Sequence, residues 1–417
     1  MSKIVALILA LAGVPLFAVM AFVAIIGHRA SDIDLQAIII AFYQITELPL
    51  LETLPLFAFS GYVLARSDAP TRLIRVTNAL FGWLPGGLAI VAIWLCSLVT
   101  AMTGASGVTI VALGGILLPA MLKNAYPERF SLGLLTTGGS LGLLFPPSLP
   151  IILYAVMSET PVEDLFIAGF LPGLLILTLL SFYTSLRCRH AGITPTPFSW
   201  KELRGALRAS MWEVPLPFFV ATGIYSGGIT VSEAAVTAAT YILIVEVCIY
   251  RDVKLSQLGA IARESMVLVG GILIILGMSL AVTNYIIDTD APRQLLEYVR
   301  QYMTSPYTFL LALNLFLLLV GCMIDIYAAT TLVVPLLLPI AAEYEISPVH
   351  LGVIFLTNMG IGYATPPVGM NLFIASIRFR KPVLQLYWAS IPFIALLLLA
   401  LAVITYWPAL TLVFIEE

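Results

Sequence analysis

Two apolar stretches in this sequence are barred from forming continuous helices, and both are interrupted in the same way. Leu135 to Tyr154 carries Gly138, Gly139, Gly142, Pro146, Pro147 and Pro150, and Thr357 to Gly369 carries Gly360, Gly362, Pro366 and Pro367. Adjacent prolines remove two backbone donors and clash with the preceding turn, so each helix must break. Carbonyls around Gly142 to Phe145 are then expected to lose their partners. In hydrocarbon an orphan carbonyl is costly unless protein, water or an ion meets it, and a cation is one candidate.

The two breaks are related by a single offset. Gly362 follows Gly142 by 220 positions, and the same step carries Pro146-Pro147 onto Pro366-Pro367 and Leu117-Leu118-Pro119 onto Leu337-Leu338-Pro339. Paired, interrupted hydrophobic segments in the two halves of a membrane protein point to a transporter binding site. The plainer alternative is a pair of packing kinks, since Gly and Pro are common in membrane helices. Doublets at matched positions exceed what packing needs.

The solvent for such segments is set by composition. The chain has 417 residues, 60% hydrophobic and only 10% charged, with a mean hydropathy of +1.04. A soluble globule carries roughly 25% charged residues, so this is a polytopic membrane protein. The net charge of −3 argues against a nucleic-acid partner. Cys96, Cys188, Cys248 and Cys322 lie too far apart for a disulfide framework or a metal cluster. His28, His190 and His350 each adjoin polar or charged residues, which weighs against haem, zinc or a histidine proton relay.

Ile4 to Gly27 reads as a first span that is retained, being too long for a signal-peptide core and lacking a cleavage site. Leu35 to Ala65 follows, broken at Glu47-Leu48-Pro49, with Glu47 and Glu52 expected at an interface. Trp83 to Met121, interrupted at Thr103 to Gly107, is nearly twice the length needed to cross the core and fits two arms folded back on each other. Pro306 to Ala342 repeats this, with its break near Asp325. Further spans are expected at Val162 to Leu186, Met211 to Tyr225, Ile229 to Tyr250, Ser265 to Ile287 and Leu384 to Phe414.

The expected organisation is N-terminal scaffold helices (1–75), a first repeat (76–186, hairpin 83–121, broken helix 131–157), a cytoplasmic connector (187–210), scaffold helices (211–302), and a second repeat with a final helix (303–417, hairpin 306–342, broken helix 349–376). The connector holds Thr194-Pro195-Thr196-Pro197 and then a capping-box pattern, Ser199-Trp200-Lys201-Glu202. Positive charge belongs inside. This places Lys123 and Arg129 with Arg66, Arg72, Arg75, Arg187 and Lys381 in the cytoplasm, and Glu159, Glu163, Asp164, Asp288, Asp290, Glu343, Glu345, Glu416 and Glu417 outside. The two repeats are therefore inverted.

Gly104-Ala105-Ser106-Gly107 has the look of an intramembrane serine nucleophile, but a serine needs a base, and the three histidines are in loops. In a hairpin tip the same residues offer carbonyls, a hydroxyl and close backbone approach. Asp325 is a carboxylate inside an apolar segment, a functional site by default. It equally reads as an N-cap of the second hairpin arm. Asn358, Thr365 and Asn371 flank one break and Thr136, Thr137, Ser140 and Ser148 the other. Neutral oxygens in abundance with few fixed charges fit a monovalent cation better than a divalent one.

MTGASGVTIVALGGILLPAM (Met102 to Met121), LTTGGSLGLLFPPSLPIILYAV (Leu135 to Val156), GGITVSEAAVTAATYILIVEVCIYRD (Gly227 to Asp252), GCMIDIYAATTLVVPLLLPIA (Gly321 to Ala341) and IGYATPPVGMNLFIAS (Ile361 to Ser376) resemble the large membrane subunit of TRAP transporters, the DctM type. The resemblance implies an all-α, elevator-type protein of the bacterial inner membrane, not an enzyme. It implies Na+-driven uptake of an organic acid such as a C4-dicarboxylate, sialic acid or a sulfonate. Its partners would be a small DctQ-type membrane subunit and a DctP-type periplasmic binding protein.

Carried over by resemblance, one sodium site falls at Thr103, Gly104, Ser106, Gly142 and Pro147, and a second at Asp325, Gly362 and Thr365. Substrate contacts are expected at Ser106, Ser148, Asn358 and Asn371. Ala105 and Gly107 depart from the family's usual first tip, which has a serine and a small β-branched residue there. The rival to this reading is a stand-alone divalent-anion carrier or antiporter that needs no binding protein.

Overall fold

The computed structural model describes residues 5, 14–31, 33–45, 50–193, 197–288, 297, 301–303 and 305–415, and they form helices joined by short turns. Residues 4 and 6–13 of the expected first span, the break at Glu47-Leu48-Pro49, the Thr194 to Thr196 part of the connector, and Asp290, Glu416 and Glu417 lie outside these residues. In chain order the helices are α1 (Leu16–Ala30), α2 (Gln36–Gln44), α3 (Thr53–Arg66), α4 (Ala69–Phe81), α5 (Gly87–Thr103), α6 (Ser106–Lys123), α7 (Glu128–Gly138), α8 (Leu149–Ser158), α9 (Val162–His190) and α10 (Trp200–Ala209). There follow α11 (Pro215–Tyr225), α12 (Val231–Leu243, continued by a π turn at Ile244–Ile249), α13 (Leu255–Asp288), α14 (Pro306–Met323), α15 (Ile326–Glu343), α16 (Pro348–Gly362), α17 (Met370–Phe379), α18 (Val383–Tyr406) and α19 (Ala409–Leu412). Seven of the described helices are long and apolar enough to cross a membrane.

Proline at the entry of α11, α14 and α16 fixes φ where no amide partner is lost. Thr230 and Glu233 complete a reciprocal capping box on α12. In the connector only half of the expected box forms. The Ser199 hydroxyl accepts from the Glu202 amide, but the Glu202 carboxylate turns to Arg75 at 2.6 Å. An Arg side chain offers a charge-assisted bond that a backbone amide does not, and that hydrogen bond holds the Glu202 carboxyl below its usual range.

Two hairpins, α5–α6 and α14–α15, turn back at Gly104-Ala105 and at Ile324-Asp325. Each is followed by a broken helix, α7/α8 and α16/α17. The hairpins enter from opposite ends of the molecule. Lys381 pairs with Glu128 at 2.6 Å, which fixes the outer ends of α6, α7 and α17 at one end. Tyr154 Oη donates to the Pro348 carbonyl and Tyr344 Oη to the Met303 carbonyl, gathering α8, α15 and α16 at the other. The repeats also interlock: α8 packs on α15, α17 on α6, α7 on α18, and α16 on α9. Around them α1, α2, α3 and α12 form a scaffold with α13, and α3 and α13 reach the hairpins.

The charge-rich end carries one buried cluster. Arg72 pairs with Glu213, with Glu246 at 3.2 Å and with Asp252 at 2.6 Å, its guanidinium 4.0 Å from the centre of the Tyr250 ring. These groups come from α4, the turn before α11, the π turn and the loop after it, so one arginine ties four segments of the scaffold. In α9, Glu163 and Asp164 open the helix and Arg187, Arg189 and His190 close it, so the charges complement the dipole.

Lipid offers no hydrophobic drive for helix association, so van der Waals fit at small residues must supply it. A Cβ on Gly142 would lie 2.1 Å from the Ser97 carbonyl oxygen, and one on Gly362 would lie 2.5 Å from the Gly321 carbonyl carbon. The matched glycines let each break lie directly on the first arm of its own hairpin. Gly142→Ala and Gly362→Ala are expected to cost about 1–3 kcal/mol through overpacking, read as a lowered melting temperature in detergent. Gly138→Ala, whose Cβ would meet Cys96 Sγ at an ordinary 3.4 Å, should melt as the parent does.

Candidate functional site

The two hairpin tips are matched in position and different in chemistry. At the first, Gly104 has φ +66, a left-handed conformation that favours glycine, and a Cβ there would strike Leu149 at 2.4 Å. Ala105 then stands at the N-cap of α6 with no side chain to offer. At the second tip, Asp325 occupies the equivalent position. Its Oδ1 accepts from the amides of Tyr327 at 2.9 Å and Ala328 at 3.1 Å. The capping reading of Asp325 is thus realised, and a carboxylate so placed also complements the helix dipole.

The tips are joined across the middle of the molecule. Tyr327 Oη donates to the Gly104 carbonyl at 2.7 Å, and the Ile326 amide donates to Tyr363 Oη at 2.7 Å. Ser140 Oγ donates to the Gly360 carbonyl at 2.8 Å, linking the two breaks. The Gly369 amide reaches the Cys322 carbonyl at 2.9 Å. Hairpin 1, hairpin 2 and both breaks therefore meet in one place.

Fewer carbonyls are orphaned than the proline doublets alone predict. The amides of Leu143, Phe145 and Ser148 bond the carbonyls of Ser140, Gly142 and Phe145, because the chain tightens into successive three-residue turns instead of leaving a gap. Thr100 Oγ1 takes the Gly139 carbonyl at 2.8 Å. The second break does the same: Ala364 and Thr365 bond Ile361 and Gly362. Among the side-chain oxygens near the breaks, Ser148 Oγ, Asn358 Oδ1 and Asn371 Oδ1 are buried with no hydrogen-bond partner among the described residues.

A cavity of about 870 Å³ opens beside this junction. Ser106, Gly107 and Val108 of the first tip line it, as do Asp325, Tyr327 and Tyr363. Of the four residues expected to contact substrate, Ser106 is on this wall, 5% exposed, and its hydroxyl makes no hydrogen bond among the described residues. Ser148, Asn358 and Asn371 are buried off the wall. Asn358 Nδ2 bonds Asn314 Oδ1 at 2.7 Å and Asn371 Nδ2 reaches the Thr136 carbonyl at 3.3 Å, so both amides are held by neighbouring helices. For the first cation set, Thr103, Gly104 and Ser106 share the tip, and Gly142 lies one turn away against Ala101. For the second, Gly362 lies against Gly321-Cys322, three residues before Asp325, and Thr365 Oγ1 donates to the Ile361 carbonyl at 2.7 Å. Pro147 sits in the break itself. Carbonyls, hydroxyls and one carboxylate are the donor chemistry a hard monovalent cation takes.

Tyr327, Tyr363, Arg66 and Glu264 are parts of this site that the sequence reading passed over. A tyrosine hydroxyl within an apolar segment needs a polar partner, and that signal was present two residues after Asp325 and one after Gly362. Arg66 reads as a loop charge in the sequence. It is in fact the last residue of α3 and lines the cavity.

This architecture agrees with the family comparisons. Residues 1–410 match the family model described as the tripartite ATP-independent periplasmic transporter, DctM component. The chain belongs to the DctM family of TRAP transporters. This DctM chain is 34% identical over 380 residues to the C4-dicarboxylate TRAP transporter large permease protein DctM of Pseudomonas aeruginosa, covering 91% of this chain and 89% of that one. It is 31% identical over 360 residues to the ectoine/5-hydroxyectoine permease UehC of Ruegeria pomeroyi (86% and 84% covered). It is 30% identical over 364 residues to the sialic acid permease SiaM of Vibrio cholerae (87% and 85% covered). In fold it is similar to the crystal structure of the Alcanivorax borkumensis YdaH transporter, with TM-score 0.56 at 15% identity over 89% of this chain and 87% of that one.

Tyr327→Phe removes the donor that meets the Gly104 carbonyl and is expected to cost about 1–3 kcal/mol, because a buried acceptor is left unmet. Thermal melting of the purified DctM chain checks this, with Tyr307→Phe, on an exposed ring, as the control.

Proposed function

We propose that this permease carries an organic anion across the bacterial inner membrane, coupled to sodium, by an elevator movement of the two interlocked repeats against the scaffold. The observation that carries the reading is the meeting of both hairpin tips and both Pro-Pro breaks beside one cavity, joined by the Tyr327 to Gly104 bond. Thr103, Gly104, Ser106, Gly142 and Pro147 would hold one sodium ion, and Asp325, Gly362 and Thr365 the other. The substrate class follows the relatives, whose names cover C4-dicarboxylate, ectoine and sialic acid. A small membrane subunit and a periplasmic binding protein that delivers the anion complete the assembly. Two sodium ions entering down a 100 mV inside-negative potential would release about 4.6 kcal/mol. That suffices for accumulation on the order of 10³-fold, provided the anion's own charge is offset.

Reconstituted vesicles holding the large and small subunits, supplied with the binding protein and its anion, should accumulate substrate in sodium and not in potassium or choline. Equal uptake in all three buffers overturns the coupling. Uptake without any binding protein favours the stand-alone carrier instead. Asp325→Asn separates the two roles of that carboxylate. Asn caps a helix as well as Asp does, so loss of the charge alone should raise the sodium concentration for half-maximal uptake. A titration that overlays the parent's leaves Asp325 a cap.

A further inference from the structure

The cavity beside the tips is lined by a single basic side chain among the described residues, Arg66 at the end of α3, and by two acidic ones, Asp325 and Glu264. Asp325 spends one oxygen on the amides of α15 and is half-buried. Arg66 is exposed and closes α3 at the end where the positive-inside pattern puts the cytoplasm. Its Nη2 donates to both carboxylate oxygens of Glu264 on α13, at 2.8 and 2.6 Å.

The side chains of this pair are 58% and 44% exposed. An ion pair so open to water is worth little net, because solvent screens the attraction and both side chains lose freedom. It therefore exchanges partners at small cost. Arginine in turn meets planar carboxylates with two parallel bonds and meets other oxyanions nearly as well. An anion leaving the tips through this cavity meets one basic side chain among the described residues, and Glu264 is its built-in competitor.

We propose that Arg66 receives the substrate's carboxylate or sulfonate at the mouth of the cavity and that Glu264 displaces it, so that the anion is caught briefly and released. This rests on the transport reading above and adds to it a named exit pair. Arg66 would touch substrate, whereas Glu264 acts through Arg66 as a positioning residue that keeps affinity for the leaving anion low. The two single neutralisations then have opposite effects. A pair that only braces α3 against α13 would respond in the same direction to loss of either member.

The test is equilibrium binding of succinate, isethionate and sialic acid to the purified complex of large and small subunits in sodium buffer, by titration calorimetry. Glu264→Gln is expected to tighten binding about tenfold and Arg66→Gln to weaken it about tenfold, with the double variant near Arg66→Gln. Shifts of the same sign in both singles, or no shift in Glu264→Gln, overturn the proposal while leaving transport intact. Should Arg66→Gln fail to fold, the sign of the Glu264→Gln shift alone decides. A parent complex that binds none of the three anions overturns the transport reading of the cavity together with this inference.

Discussion

Backbone groups inside a bilayer have no water to turn to, and this constraint governs the whole middle of the molecule. Helices that stop halfway survive only where something else meets their ends. Here the provision is local and paired. The breaks tighten into short turns, Thr100 and Ser140 send hydroxyls to the carbonyls of Gly139 and Gly360, and Tyr363 takes the first amide of α15. Each half of the chain thus depends on the other for satisfied hydrogen bonds, which is why the tips and breaks converge instead of standing apart.

The convergence is symmetric in backbone and asymmetric in charge. Ala105 and Asp325 hold equivalent places, yet one helix N-terminus is open to the cavity and the other is closed by its own carboxylate. An open N-terminus favours an anion and a carboxylate favours a cation. The Tyr327 to Gly104 bond makes both tips parts of one body.

Much of this frame was legible in the sequence. The offset of the proline doublets gave the repeat, segment length gave the hairpins, and loop charge gave their inversion, because each depends on local chain properties that lipid makes strict. The break points at Gly104-Ala105 and near Asp325 were placed to within a residue or two. The side-chain partners were less accessible. Asn358 and Asn371 look like cavity residues until Asn314 and the Thr136 carbonyl arrive from elsewhere in the fold. Arg66 belongs to a loop by composition and to a cavity by the path of α3. Such assignments need the relative rotation of helices distant in sequence, which no local pattern encodes.

The exchange of half-helices between repeats bears on how the protein is made. Helix Leu149–Ser158 packs against Ile326–Glu343, a segment that does not exist when the shorter one leaves the ribosome. At roughly 5–20 residues per second, synthesis takes on the order of ten seconds or more to supply that partner. During the interval a half-length helix carrying an exposed break must be sheltered by the insertion machinery or by a provisional neighbour. The native middle of the molecule is thus a post-translational product, assembled only once nearly the entire chain has entered the membrane.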